Sequence, residues 1–362
     1  MIQSTNPAAG YARLFLQKHG LKLGVSVVIA AAFGWGLRHG GLPLLPAGDA
    51  FARVNVSYCL AYVIIFALMH TVRAMRWRHL LAPIATGIAL RRILAVSFIG
   101  FAAILVMPLR AGEFVRPYMI RQRGKLSVAA ATGTIAAERI IDGLAMTALL
   151  GICLQVAHPL SPLPDHIGKL PIPVAAVPLY ASVALSGFLA AFALMALFYW
   201  RPVLGHGLVE HSLGLVSRSA ARKAADFVAR TADGLKFLPS ARHFGPFLAE
   251  TVVYLFLTAL GMWVLALGCG VETMTFTQAC VVMGVLGVGI LLPAGPGLFG
   301  AYQASIYAAL AMYFSDEVVL GPGSVYVFLL YAISGVGHLI AAGFFLLVDR
   351  NAAREVLEAE TA

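Results

Sequence analysis

The sequence predicts an all-α polytopic membrane protein with about six full spans and two Pro/Gly-broken re-entrant hairpins arranged as inverted repeats. Three observations carry this. The chain is 60% hydrophobic and 12% charged, with a mean hydropathy of +0.86, and several apolar runs approach the ~20 residues that carry a helix across ~30 Å of hydrocarbon. Its basic residues fall between those runs with a consistent sidedness. Two further apolar runs are too short to span and each ends in a Pro- and Gly-containing break.

The spans are expected at about 22–37, 55–72, 127–156, 174–200, 247–268 and 324–348. The first follows Arg13, Lys18 and Lys22 and lacks a clear small-x-small cleavage site, so it is expected to be a retained helix, not a signal peptide. With the N-terminus inside, only Arg38, Arg53 and Lys169 fall outside and Arg139 lies within a span; every other Lys and Arg is cytoplasmic. That is the positive-inside pattern, so the net charge of +10 reports orientation and not a nucleic-acid partner. Both termini are therefore expected in the cytoplasm. Cys59, Cys153, Cys269 and Cys280 sit in or beside apolar runs without metal-ligand spacing and read as small core residues.

The first broken hairpin is VMPLRAGEFVRPYMI, at 106–120. The preceding run, 93–107, is flanked on both sides by basic intervals, 73–92 and 116–125, so both of its ends point inside. Pro108 and Gly112 supply the break at which such a segment turns back. The second half offers a counterpart, LLPAGPGLFGAYQASI at 291–306, in which Pro293, Gly297 and Phe299 repeat the spacing of Pro108, Gly112 and Phe114 at an offset of 185 residues. Gly295 and Pro296 extend that break. Its flanks carry Glu272, Asp316 and Glu317 without Lys or Arg, so it is expected to open outside; two short spans at 276–292 and 298–313 are the alternative. One integral membrane domain, 1–362, is expected, with a first repeat at about 55–156, a second at about 247–348 and a cytoplasmic amphipathic linker at about 201–245. Inverted repeats with discontinuous helices expose helix ends and backbone groups near the midplane, a transporter design.

The charges concentrate beside the first break. Glu138 and Asp142 in TIAAERIIDGLAM share one helical face, and Arg139 lies about 100° round. Each ion near the bilayer centre costs ~2.5–3.5 kcal/mol on insertion scales, so this pair requires cations. Arg110 and Arg116 are the expected partners, and Arg110, Arg116 and Arg139 formally balance Glu113, Glu138 and Asp142. Two readings stay open: a closed network that pins the hairpin, or an open one in which an arginine exchanges a carboxylate for a lipid phosphate. Tyr302, Gln303, Glu250 and His338 are candidate lining residues. No HExxH, GxSxG, P-loop or metal cluster is present in the sequence, so neither catalysis nor a cofactor is expected.

At PLRAGEFVRPYMI, ERIIDG and LLPAGPGLFGAYQ the chain resembles the lysylphosphatidylglycerol synthase transmembrane, or flippase-like, family, which includes the membrane half of the bacterial multiple peptide resistance factor. The resemblance covers about 80–348. It implies an inner-membrane protein that moves lipids between leaflets, with Arg110, Glu113, Arg116, Glu138, Arg139 and Asp142 in a polar cavity. The family often shows an acid in the late element; here Leu298, Phe299 and Gly300 follow Gly297, so that acid is missing. Full-length synthases continue into a soluble aminoacyl-transferring domain, which this sequence does not contain, so no lipid aminoacylation is expected of it. The expected partners are membrane lipids. A scaffold for a lipid- or glycan-modifying enzyme is the alternative, and a homo-oligomer stays open.

Overall fold

The computed structural model describes residues 7–122, 125–171, 174–201, 203–204, 207, 233–292 and 295–348. Among these, every regular element is helical. The first helix, α1 (Pro7–His39), is continuous over 33 residues and contains the segment expected to span first. Five other helical segments are long and apolar enough to cross a membrane: Val56–Leu81, Val128–Val156, Val174–Leu197, Ala241–Gly268 and Asp316–Val348. The chain is thus a multi-pass membrane protein.

The second helix, α2 (Val56–Met75), starts where the Asn55 side chain accepts from the Ser57 N–H at 3.0 Å. It continues, with one turn residue, into α3 (Trp77–Leu81). This corrects the expected boundary near residue 72. Arg73 and Arg76, read from sequence as cytoplasmic loop, lie on or directly after the helix, and the Arg76 guanidinium is fully buried. The first hairpin follows as α4 (Leu90–Val106), a 3-10 segment over Pro108–Phe114, and α5 (Val115–Ile120). At ~1.5 Å per residue α4 is about 26 Å long, short of the hydrocarbon thickness. Arg92 at its start donates to the Met119 carbonyl at 2.7 Å, so the start of α4 and the end of α5 lie close together. Gly112 permits this: a Cβ there would overlap the Ala103 and Ile104 backbone.

Ser127 caps α6 (Val128–Val156) by accepting from the Ala130 N–H at 3.1 Å. Helix α7 (Val177–Trp200) follows. Most of the expected cytoplasmic linker, 208–232, lies outside the described residues. Its end does not lie free on a surface: Leu235 and Phe237 are buried, and Gly234 packs against the backbone of α6. Helix α8 (Ala241–Gly268) leads to the second hairpin, α9 (Phe276–Gly289) and α10 (Ala301–Ala311). A Thr275/Gln278 capping box starts α9. Of the break residues, Pro293 lies outside the described residues, while Gly297 and Gly300 turn the chain at φ 68° and 91°, values that glycine tolerates without strain. Helices α11 (Asp316–Leu320) and α12 (Pro322–Val348) complete the chain.

The packing has a reciprocal pattern. Helix α2 pairs with α8 along its length, α4 packs on α12, and α9 packs on α6. Small residues make these approaches close. Gly261 and Gly268 of α8 receive Tyr62 and Tyr58, and Gly284 and Gly287 of α9 receive Leu150 and Met146. Without a hydrophobic driving force between helices in lipid, such close contact is what holds them. The four cysteines are free thiols at these helix contacts.

Candidate functional site

The carboxylates Glu138 and Asp142, four residues apart on α6, are both buried. Their principal partner is Arg76, which the sequence reading missed. Its Nη1 and Nη2 contact Oδ1 and Oδ2 of Asp142, each at 2.5 Å, in the two-point geometry that guanidinium and carboxylate share. Nη2 also donates to Glu138 Oε1 at 3.2 Å and Nη1 to Thr251 Oγ1 at 2.8 Å, tying α6 to α8. Arg116 reaches Glu138 from α5, with Nη1 3.1 Å from Oε2 but not aligned for a hydrogen bond. Its guanidinium is sandwiched between rings, 4.3 Å from the Trp77 centroid and 5.2 Å from that of Phe101. Gly100 leaves the space for its side chain. Trp77 in turn donates to Thr134 Oγ1 at 2.9 Å. This is a closed latch among α2, α3, α5, α6 and α8.

Beside the latch lies a cavity of about 1010 Å³, bordered by α2, the first hairpin, α6, α8, the second hairpin and α12. Asp142 reaches it; Glu138 and Arg116 do not. Two arginines border it without an ion-pair partner within 4 Å among the described residues: Arg73 and Arg139. The Nε and Nη2 of Arg139 are buried and without hydrogen-bond partners, as is the Nε of Arg73. Arg73 instead rests over Phe101 at 4.9 Å and Tyr254 at 5.6 Å. Glu113 borders the same space and is itself partnered. Glu138, Asp142 and Glu113 are within electrostatic reach of Arg139, but with no carboxylate in direct contact among the described residues both guanidiniums keep donors with which to hold an anion.

The expected six-residue constellation therefore divides. Arg76 joins Glu138 and Asp142, Arg116 meets Glu138, Arg139 and Glu113 face the cavity, and the Arg110 side chain lies outside what the structure describes. The neutral balance expected from sequence is corrected by Arg73 and Arg76, which bring the described cluster to four guanidiniums against three carboxylates.

The remaining candidates also separate. Tyr302 borders the cavity, as do the break residues Pro296 and Gly297 and the histidine His338. Gln303 does not: its Oε1 accepts the Gly300 N–H at 2.8 Å and caps α10. Glu250 is also away from the cavity, paired with Arg78 at 2.5 Å and near His79 at 3.4 Å. Among the described residues no group of three or more His, Cys, Asp or Glu is placed to hold a metal.

A stretch of 107 residues is 28% identical to the glycosyltransferase AglD of Haloferax volcanii, covering 30% of this chain and 16% of that protein. No solved structure matches the chain. The family described as the lysylphosphatidylglycerol synthase TM region matches residues 21–349, nearly the whole sequence. The chain belongs to the lysylphosphatidylglycerol synthase transmembrane family.

Proposed function

We propose that the protein moves a lipid with an anionic, phosphate-bearing headgroup between the leaflets of a bacterial-type inner membrane. The observation that carries this is the pair Arg73 and Arg139, which border a cavity large enough for a headgroup while Glu138 and Asp142 are taken up by Arg76 and Arg116. Guanidinium binds phosphate through paired hydrogen bonds, and in a low-dielectric site such contacts are strong. Arg110 joins the site on the family resemblance alone.

The reciprocal packing supports an inverted-repeat mechanism. If α2, α4 and α6 correspond to α8, α9 and α12, then α4 on α12 and α9 on α6 are equivalent contacts exchanged between the halves. Under this assignment α1 supplies a sixth crossing, both hairpins are re-entrant, and the termini are cytoplasmic. The cavity lies between the two breaks, and rocking of one repeat against the other alternates its access. No chemical step is needed.

A second reading, a non-transporting subunit that holds a lipid- or glycan-modifying enzyme, draws on the closed latch and on the stretch similar to a glycosyltransferase. Mass spectrometry of lipids that copurify with wild type and with Arg139→Gln distinguishes them. The transport reading expects one anionic class enriched on the wild type and depleted on the variant. Equal bulk lipid on both supports the scaffold.

A further inference from the structure

The cavity has a feature that a phosphate site does not require. His70 on α2 and His338 on α12 meet edge to face at 4.3 Å between ring centroids, and both border the cavity. His70 is 4% exposed and its Nδ1 has no hydrogen-bond partner. His338 Nδ1 lies 2.6 Å from the Ser334 carbonyl, which can only accept, so Nδ1 carries a hydrogen and Nε2 is left as the basic nitrogen of the neutral ring. Phe66 and Phe101 enclose the pair, with Phe66 at 4.3 Å from His70 and 5.1 Å from His338. Gly337 lets α12 approach this closely, since a Cβ there would meet the Phe66 ring.

The charged neighbours give the pair a direction. Arg73, three residues beyond His70 and therefore on the same face of α2, is the charged group that acts on both imidazoles. The titratable groups facing the space are Tyr62 on α2 and Tyr331 on α12, the histidines' own helices, and from the other elements Glu113 on the first hairpin, Arg139 and Asp142 on α6, Tyr254 on α8 and Tyr302 on α10; α4 presents Phe101 to the pair. An anion placed at Arg73 and Arg139 offsets the arginine field and attracts a proton to the histidines. The converse also holds, because the coupling of two ligands is reciprocal.

We propose that His70 and His338 form a proton-binding site that fills together with the anionic headgroup, so that lipid and proton share the cavity. This rests on the phosphate reading of Arg73 and Arg139. Histidine is suited to it because its charge changes between about pH 5 and 8. The step is a protonation only: one proton from the solvent facing the open cavity onto one imidazole, released when the cavity opens to the other side.

The test uses the purified full chain in detergent, with short-chain dioctanoyl phosphatidylglycerol as probe, because its phosphodiester keeps one charge over this range, and dioctanoyl phosphatidylcholine as control. Affinity is measured from pH 5.5 to 8, and proton uptake on binding is read with an indicator in weak buffer. The expected result is affinity for phosphatidylglycerol rising as pH falls, by up to about tenfold per unit for one coupled proton, with about one proton taken up per lipid. His70→Gln and His338→Asn, the latter keeping a donor near Ser334, should lose the rise. His79→Asn, away from the cavity, should keep it. Binding by the wild type that is present but flat with pH overturns the proton site and leaves the phosphate site standing. A rise that survives in both cavity variants also overturns it. No preference for phosphatidylglycerol over phosphatidylcholine at any pH overturns both.

Discussion

Arg76 places its two Nη atoms on the two carboxylate oxygens of Asp142, 66 residues away, and the guanidinium has no exposed surface. Four charged side chains, Arg76, Arg116, Glu138 and Asp142, thereby neutralise one another within the helix bundle. Isolated, each would be costly there; together they fix the positions of α3, α5, α6 and α8.

Arg76→Met should therefore be strongly destabilising, by about 3–5 kcal/mol, because it leaves Asp142 and Glu138 buried with too little positive charge. Thermal unfolding of the purified protein measures it. The double variant Arg76→Met/Asp142→Leu should recover part of the loss, since it removes the orphaned charge as well. A single variant as stable as wild type would mean that the latch does not hold the helices.

The two cavity arginines should behave differently. Arg73→Gln and Arg139→Gln remove cations that have no carboxylate within 4 Å among the described residues, so their melting temperatures should stay near that of wild type. The same unfolding assay decides it. A loss comparable with Arg76→Met would place Arg73 or Arg139 in the structural network and remove the reason for assigning it an anion.

Gly112 tests the first hairpin. Gly112→Ala would drive a Cβ into the Ala103 carbonyl and Ile104 nitrogen, forcing the arms apart, at about 1–3 kcal/mol or more. Gly187→Ala on α7 meets nothing within 4 Å and should be neutral or stabilising by up to about 1 kcal/mol. Equal effects of the two on unfolding would show that the close approach at Gly112 carries no energy.

Much of this arrangement was legible in the sequence. Apolar length located the principal helices, and Pro108 with Gly112 located the first break; in the second, Gly297 does turn the chain, while Pro293 lies outside the described residues. The spacing of Glu138 and Asp142 marked a face that needed cations. The identity of the cations was not legible, because hydropathy ends a span at its first arginine: Arg73 and Arg76 were counted with the loop while α2 in fact continues through residue 75. Helical spacing held the missing signal, since His70 and Arg73 lie three apart and recur on one face. Gln303 was misplaced for a different reason. A polar residue three positions after a break glycine fits either a lining role or a cap, and only the fold shows that it accepts the Gly300 N–H. The latch itself joins residues 76, 116, 138 and 142 through tertiary packing, which local pattern does not encode.

The central claim, that Arg73 and Arg139 form a site for an anionic lipid headgroup, is tested most directly by translocation in proteoliposomes. Wild type and Arg139→Gln are compared with a labelled phosphatidylglycerol and a labelled phosphatidylcholine. Loss of one charge-assisted contact of about 1.5–3 kcal/mol predicts that movement of phosphatidylglycerol falls by about tenfold to a hundredfold in the variant, with phosphatidylcholine slow in both. Equal movement of the two lipids by wild type, or an unchanged rate in Arg139→Gln, would contradict it.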